Sequence, residues 1–174
     1  LLSEIKGSKL LLKYRNFFSD KNMKKIWKAK FEKYGVHGDR VILLAQESEQ
    51  PDHLALYSQI DVALDPFPFN GVTTTFEALL MGVPVIALEG RRFQDRVACT
   101  LLKQASLHEF IANSTQSYVS IATTLANRPQ ILARYRGNIR ETLLNSSLMD
   151  GPQYARHLED AYQAIWLQRC KQNA

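Results

Sequence analysis

The stretch from Ile60 to Leu88 constrains the fold of this chain more than any other part of it. It reads IDVALDPFPFNGVTTTFEALLMGVPVIAL: an apolar run, a loop with prolines and a glycine, an apolar helical pattern, a glycine and a second apolar run. Short β-branched runs bounded by turn residues are typical of buried strands. The pattern predicts a βαβ unit with parallel strands. Open α/β sheets bind ligands at the carboxyl ends of such strands, where the Gly/Thr-rich loop lies.

The start of the predicted helix suits an anion, because its first N–H groups lack partners within the helix and carry the positive end of the dipole. Gly71 lets a phosphate approach the backbone, and the hydroxyls of Thr73 and Thr74 can donate further hydrogen bonds. Glu77 follows one turn later, where its carboxylate can accept hydrogen bonds from a ribose diol. The spacing Thr74-x-x-Glu77 also fits a capping box, which is a purely structural device. The residues alone leave both interpretations open.

The segment NGVTTTFEALLMGVPVIAL resembles the donor-binding segment of the O-linked N-acetylglucosamine transferases and their bacterial relatives, which usually carry tetratricopeptide repeats. The resemblance extends roughly from Leu10 to Cys170, and includes Asp61–Asp65, Arg96-Val97-Ala98 and Tyr154–Trp166. It implies an α/β fold with a Rossmann-like three-layer parallel sheet, the C-terminal donor-binding lobe of a GT-B glycosyltransferase.

The resemblance also implies the domain organisation. Residues 1–174 are expected to form a single nucleotide-sugar-binding lobe that is truncated at its N-terminus, without its first strand and without the N-terminal catalytic lobe. The final helix is predicted at about residues 153–171, with most of its apolar face packed within the lobe. That face consists of Leu158, Ala161, Tyr162, Ile165 and Trp166. The chain alone is expected to be catalytically inactive.

Composition narrows the classes of function. Of 174 residues, 45% are hydrophobic and 22% charged, as in an ordinary globular domain. The net charge of +5 is scattered along the chain, without a basic block interleaved with aromatics, so nucleic acid is not an expected partner. Cys99 and Cys170 lack metal-ligand spacing and are expected to be reduced thiols in a cytoplasmic protein. No apolar run approaches the about 20 residues of a membrane span.

The donor-nucleotide site implied by the resemblance comes from two loops. It comprises Ser48, Gln50, His53, Asn70, Gly71, Val72, Thr73, Thr74 and Glu77. His53 is expected to pack on the uracil ring, and Ser48 to contact the base through its backbone. Gln50 stands where the family often has a ribose-binding lysine. Val72 stands where it often has a histidine near the diphosphate.

By resemblance, the parent enzyme transfers a sugar, N-acetylglucosamine from UDP-GlcNAc, to a Ser/Thr hydroxyl of an acceptor protein, with inversion and with no metal ion or cofactor. No catalytic residue is assigned within the chain. Asp65 and His53 have the right chemical type for a general base, but the base is expected from the other lobe. Related transferases that use UDP-glucose or GDP-fucose remain alternatives, as does a degenerate lobe that acts only as a scaffold.

Overall fold

The computed structural model describes residues 1–45 and 50–172. In these residues the strands are β1 (Leu10–Lys13), β2 (Val41–Leu44), β3 (Ala63–Leu64), β4 (Val85–Leu88) and β5 (Ile111–Ala112). The α-helices are α1 (Lys21–Glu32), α2 (Gln50–Ala55), α3 (Thr73–Leu80), α4 (Val97–Gln104), α5 (Thr115–Ala126), α6 (Pro129–Leu144) and α7 (Gly151–Gln172). Short 3-10 turns join several of them. The fold is α/β, as predicted.

The strands pair in two parallel ladders, β1–β2 and β3–β4–β5. The βαβ unit predicted from Ile60 to Leu88 is confirmed as β3, α3 and β4, but β3 is shorter than the predicted Ile60–Leu64. Ile60 donates its N–H to the carbonyl of Tyr57, 3.2 Å away, in a 3-10 turn over Leu56–Gln59. That backbone group is therefore engaged in the turn, and the strand begins only at Ala63.

Each ladder packs against its own hydrophobic core. The larger core surrounds β4 and includes side chains with no exposed surface, such as Leu79 of α3, Ile86 of β4 and Leu102 of α4. The smaller core joins Val41 and Leu43 of β2 to Phe18, with Trp27 of α1 packed against them. Burial of these side chains is the main source of stability, since each contributes roughly 1.5–3 kcal/mol relative to exposure.

Local signals fix the helix ends. The Asp20 carboxylate accepts a hydrogen bond from the Asn22 N–H at 2.7 Å and caps α1. Ser114 and Ser117 form a reciprocal capping box at the start of α5. Gly82 follows α3 with a φ of +73°, and a Cβ there would lie 2.8 Å from the Arg136 carbonyl oxygen. Glycine is thus required where α3 turns into β4.

The prediction that α7 packs mostly within the lobe is wrong. The helix forms, from Gly151 to Gln172, but none of its described residues is buried. Tyr162, Ile165 and Trp166 are each more than 60% exposed. An amphipathic pattern shows that a helix has an apolar face, but not which surface covers that face. No helix in the described ranges has the length and apolar content needed to cross a bilayer.

Neighbouring leucines near the end of α6 allow a test of the larger core. Leu143 is completely buried, whereas Leu144 is 44% exposed. We expect Leu143→Ala to lower the free energy of unfolding by about 3 kcal/mol, because it removes buried methyl groups and leaves a cavity. Leu144→Ala should cost less than about 1 kcal/mol. Denaturant titration measures both, and equal costs would contradict the assignment of this core.

Candidate functional site

The N-terminus of α3 lies at the surface, just beyond the carboxyl end of β3. Its N-cap residue is Val72, which has no polar side chain to accept a hydrogen bond from the first turn. Thr73 and Thr74 are exposed there, whereas Thr75 is buried and donates its hydroxyl to the Gly71 carbonyl at 3.0 Å. The first N–H groups of the helix and two hydroxyls are thus presented together, an arrangement that suits an anion.

The capping-box interpretation of Thr74 and Glu77 is wrong. The helix begins at Thr73, so Thr74 lies inside the first turn and not at the N-cap. The Glu77 carboxylate bonds elsewhere: its Oε2 atom lies 3.0 Å from Nε2 of His53 and 3.4 Å from the Tyr57 hydroxyl. Glu77 therefore holds together two elements of the site and does not cap the helix.

His53 and Glu77, both predicted site residues, are in direct contact. The imidazole of His53 is hydrogen bonded through both nitrogens, since Nδ1 lies 3.0 Å from the Lys13 ammonium and Nε2 contacts Glu77. Lys13 is the last residue of β1, and Tyr57 follows α2. Sequence reasoning missed both, because contacts across 40 and 20 residues leave no local pattern.

Tyr57 also contacts the Glu77 carboxylate. Its hydroxyl lies 3.3 Å from the Thr74 carbonyl and 3.4 Å from Glu77 Oε2, so one proton is shared between two acceptors. Burial, and then the charge of Glu77, raise the pKa of Tyr57 to about 12. The phenol consequently stays protonated at neutral pH and remains a donor to Glu77.

The loop between β3 and α3 is shaped by a buried carboxyl group. Asp65 is 4% exposed and accepts a hydrogen bond from the Gly71 N–H at 2.7 Å. A Cβ at Gly71 would lie 2.4 Å from Thr74 Oγ1 and 3.1 Å from Asp65 Oδ1. A side chain at Gly71 would therefore force the Thr74 hydroxyl and the Asp65 carboxylate to move, and the hydrogen bond from Gly71 to Asp65 fixes the approach of the chain to α3.

Asp65 is held in an unfavourable environment for a charge. Burial raises its pKa from 3.8 to about 6, although the hydrogen bond from the Gly71 N–H acts to lower it. Its backbone carbonyl accepts from the buried Tyr118 hydroxyl at 2.9 Å. Its Oδ2 atom has no hydrogen-bond partner among the described residues. Buried carboxylates normally have their oxygens satisfied, so this position is costly.

The other predicted binding residues fall into three groups. Gly71, Val72, Thr73 and Thr74 surround the helix N-terminus as expected. Asn70 belongs to the same loop, but its side chain is only 2% exposed and lies beneath the surface of the site. Ser48 lies outside the described residues, and Gln50 is described only as the first residue of α2.

The two side chains considered as a general base are both constrained. Asp65 is buried under the loop, and both ring nitrogens of His53 are engaged. A role as general base would therefore require Asp65 to become accessible, or a partner of His53 to be displaced. Within the described ranges, no three His, Cys, Asp or Glu side chains are grouped so that they can hold a metal ion.

The sequence of the chain matches the glycosyl transferase family 41 over residues 8–158. It is 34% identical over 170 residues to a barley (Hordeum vulgare) protein described as probable UDP-N-acetylglucosamine–peptide N-acetylglucosaminyltransferase SPINDLY. That match covers 98% of this chain and 18% of the barley protein. A Caenorhabditis elegans UDP-N-acetylglucosamine–peptide N-acetylglucosaminyltransferase is 30% identical over 125 residues, which cover 72% of this chain and 11% of that protein.

A solved structure agrees with these sequence matches. A variant of the Thermobaculum terrenum O-GlcNAc transferase superposes with a TM-score of 0.88 at 37% sequence identity. The superposition covers 95% of this chain and 32% of the other. The chain thus spans less than a fifth of the barley relative and about a third of the solved structure.

The burial of Asp65 predicts a pH dependence of stability. A carboxyl group whose pKa is raised on folding stabilises the fold fully below about pH 4 and loses that contribution as pH rises through about 6. The rise of the Asp65 pKa from 3.8 to about 6 corresponds to about 3 kcal/mol. Asp65→Asn keeps an oxygen that can accept from Gly71 but removes the charge. We therefore expect its stability relative to wild type to increase by about 3 kcal/mol between pH 4 and pH 7.5.

Denaturant titrations at intervals across this range measure the difference. Asp61→Asn, at an exposed position in the same segment, is the matched control. A difference between wild type and Asp65→Asn that does not change with pH would show that Asp65 is not desolvated as described.

Proposed function

Since this chain belongs to glycosyltransferase family 41, we propose that it is the donor-binding lobe of a glycosyltransferase that transfers N-acetylglucosamine from UDP-GlcNAc to Ser/Thr hydroxyls of proteins. One observation carries the proposal. The first turn of α3 is exposed, has no polar N-cap side chain, and is followed one turn later by Glu77, a carboxylate already held by other residues of the site.

The diphosphate of the donor is assigned to the N-terminus of α3. The N–H groups of the first turn point toward this surface, and the exposed hydroxyls of Thr73 and Thr74 add donors. During transfer the bond between sugar and diphosphate breaks, and negative charge accumulates on the departing phosphate oxygens. Donors already fixed in a helix stabilise that charge without reorganising, which lowers the barrier for transfer.

The nucleoside is assigned to Glu77 and His53. The hydrogen bonds of Glu77 to His53 and Tyr57 both use Oε2. A carboxylate offers about four acceptor positions, so Oε1 can accept from a ribose hydroxyl while Oε2 keeps its protein partners. The imidazole, 31% exposed in its side chain and bound through both nitrogens, presents a ring face against which a base can stack.

The remaining functions of such an enzyme are assigned to parts of the protein outside this lobe. The related proteins are several times longer than the chain. We assign the general base and the acceptor-protein site to an N-terminal catalytic lobe, and substrate recruitment to tetratricopeptide repeats. This division agrees with the constrained positions of Asp65 and His53, and the chain alone is predicted to turn over no UDP-sugar.

Calorimetric titration of UDP, GDP and UMP into the full-length protein tests the proposal. We expect UDP to bind, and UMP to bind at least tenfold more weakly, because UMP lacks the second phosphate that contacts α3. Thr74→Ala removes one hydroxyl donor and should weaken UDP binding about tenfold, or about 1.4 kcal/mol. Glu77→Gln should weaken it by a similar factor, because an amide oxygen accepts less strongly than a carboxylate.

Thr124→Ala, at an exposed position on α5, is the matched control and should bind UDP like wild type. A preference for GDP would reassign the donor to a guanosine diphosphate sugar. Failure of every nucleotide to bind a folded full-length protein would contradict a donor site in this lobe and favour a scaffold role.

A further inference from the structure

Lys13 contacts the site from an element that the proposed donor contacts do not include. It is the last residue of β1, where its Cα is paired in register with Leu44 of β2. Its ammonium lies 3.0 Å from Nδ1 of His53, in a partly buried contact between residues 40 apart in sequence. The backbone of Lys13 is therefore fixed by a strand, while its side chain reaches the helix that carries His53.

Because the neighbour of Nδ1 is the ammonium of Lys13, it determines which nitrogen of the His53 ring carries the proton. A lysine ammonium has three hydrogen-bond donors and no acceptor, so Nδ1 of His53 must accept and cannot carry a proton. The ring proton consequently resides on Nε2, which donates to Glu77 Oε2 at 3.0 Å. Lys13, His53 and Glu77 form a line of hydrogen bonds in which an ammonium is at one end, a carboxylate at the other, and a neutral ring between them.

This line also fixes the ring in space. Both hydrogen bonds lie along the edge of the imidazole, so the ring can neither flip nor tilt without breaking one of them. Removal of the Lys13 ammonium leaves Nδ1 free to carry a proton and leaves one in-plane restraint instead of two. An imidazole held on one side only loses part of its orientation before a ligand arrives.

We propose that Lys13 is a positioning residue for the donor nucleoside: through Nδ1 it fixes the tautomer and the orientation of the His53 ring, so that the ring face is presented to the base and Nε2–H stays on Glu77. This inference rests on the proposed function, because it assigns the nucleoside to His53 and Glu77. Lys13 acts through His53 and does not touch the base itself.

Two readouts on the full-length protein test the proposal. The first is the affinity for UDP, or for GDP if that nucleotide is preferred. The second is the 15N spectrum of histidine-labelled protein, which distinguishes protonated from unprotonated ring nitrogens; the signals of His53 are those that disappear in His53→Phe. In wild type we expect an unprotonated Nδ1 and a protonated Nε2. Lys13→Met should move the Nδ1 signal and weaken nucleotide binding about tenfold.

Three variants separate this role from a merely structural one. Lys13→Arg keeps a donor group and should recover most of the affinity and the wild-type 15N pattern. Lys9→Met changes an exposed lysine just before the same strand and should bind like wild type. In the His53→Phe background, Lys13→Met should cause no further loss, because the residue that Lys13 positions is gone. Thermal unfolding checks that each variant is folded, and if Lys13→Met is not folded, Lys13→Leu, which also lacks a donor, takes its place.

The outcomes are distinguishable. A tenfold loss that vanishes in the His53→Phe background, together with a moved Nδ1 signal, supports the proposal. A Lys13 substitution that leaves both readouts unchanged, or that weakens binding equally with and without His53, overturns it. If wild type binds no nucleotide, the proposed function fails, and with it the role toward the nucleoside. The 15N pattern then still decides whether Lys13 sets the tautomer.

Discussion

The position of β4 is the constraint on which the rest of the larger core depends. Val85, Ile86 and Ala87 are buried, both edges of the strand are hydrogen bonded to parallel neighbours, and α3, α4 and α5 pack against it. Because consecutive residues are buried, both faces of β4 are covered, and the side chains on each face must fit their packed neighbours. The glycine turn at Gly82 joins α3 directly to this strand. The place of α3, and so of its N-terminus, is therefore fixed by apolar packing well away from the site.

In contrast to this apolar packing, several polar groups of the site occupy positions that do not favour the stability of the fold. The start of α3 has no polar N-cap side chain, whereas α1 and α5 are capped by side chains. The helices α4 and α6 also begin without a side-chain cap. The Asp65 carboxyl and the Asn70 amide are buried in the adjoining loop, with atoms that lack partners among the described residues. Unpaired N–H groups of a helix and buried polar atoms thus occur together at one edge of the sheet, which supports the proposed ligand site there.

The sequence predicted the features that local patterns specify. The βαβ unit, its glycine turn and the start of α3 follow from hydrophobic period and turn residues, and the structure confirms them. The role of Glu77 was undecidable, because a capping box and a site carboxylate share one spacing. The structure excludes the capping box, because α3 begins at Thr73 and the Glu77 carboxylate contacts His53, 24 residues upstream. The contact of Lys13 was missed, and the prediction for the packing of α7 was wrong, for the same reason. Both depend on which surfaces come together in the folded protein, which local sequence patterns do not show.

The hydrogen bonding of His53 also limits what the residue can recognise. With Nδ1 facing Lys13 and Nε2 facing Glu77, the ring has no free edge with which to read the hydrogen-bonding groups of a base. A ring face stacks on uracil and guanine alike, because every base has a π-face. Under the proposed function, His53 therefore supplies affinity without selecting the base. Selection between uridine and guanosine donors must then come from other groups that reach the edge of the base.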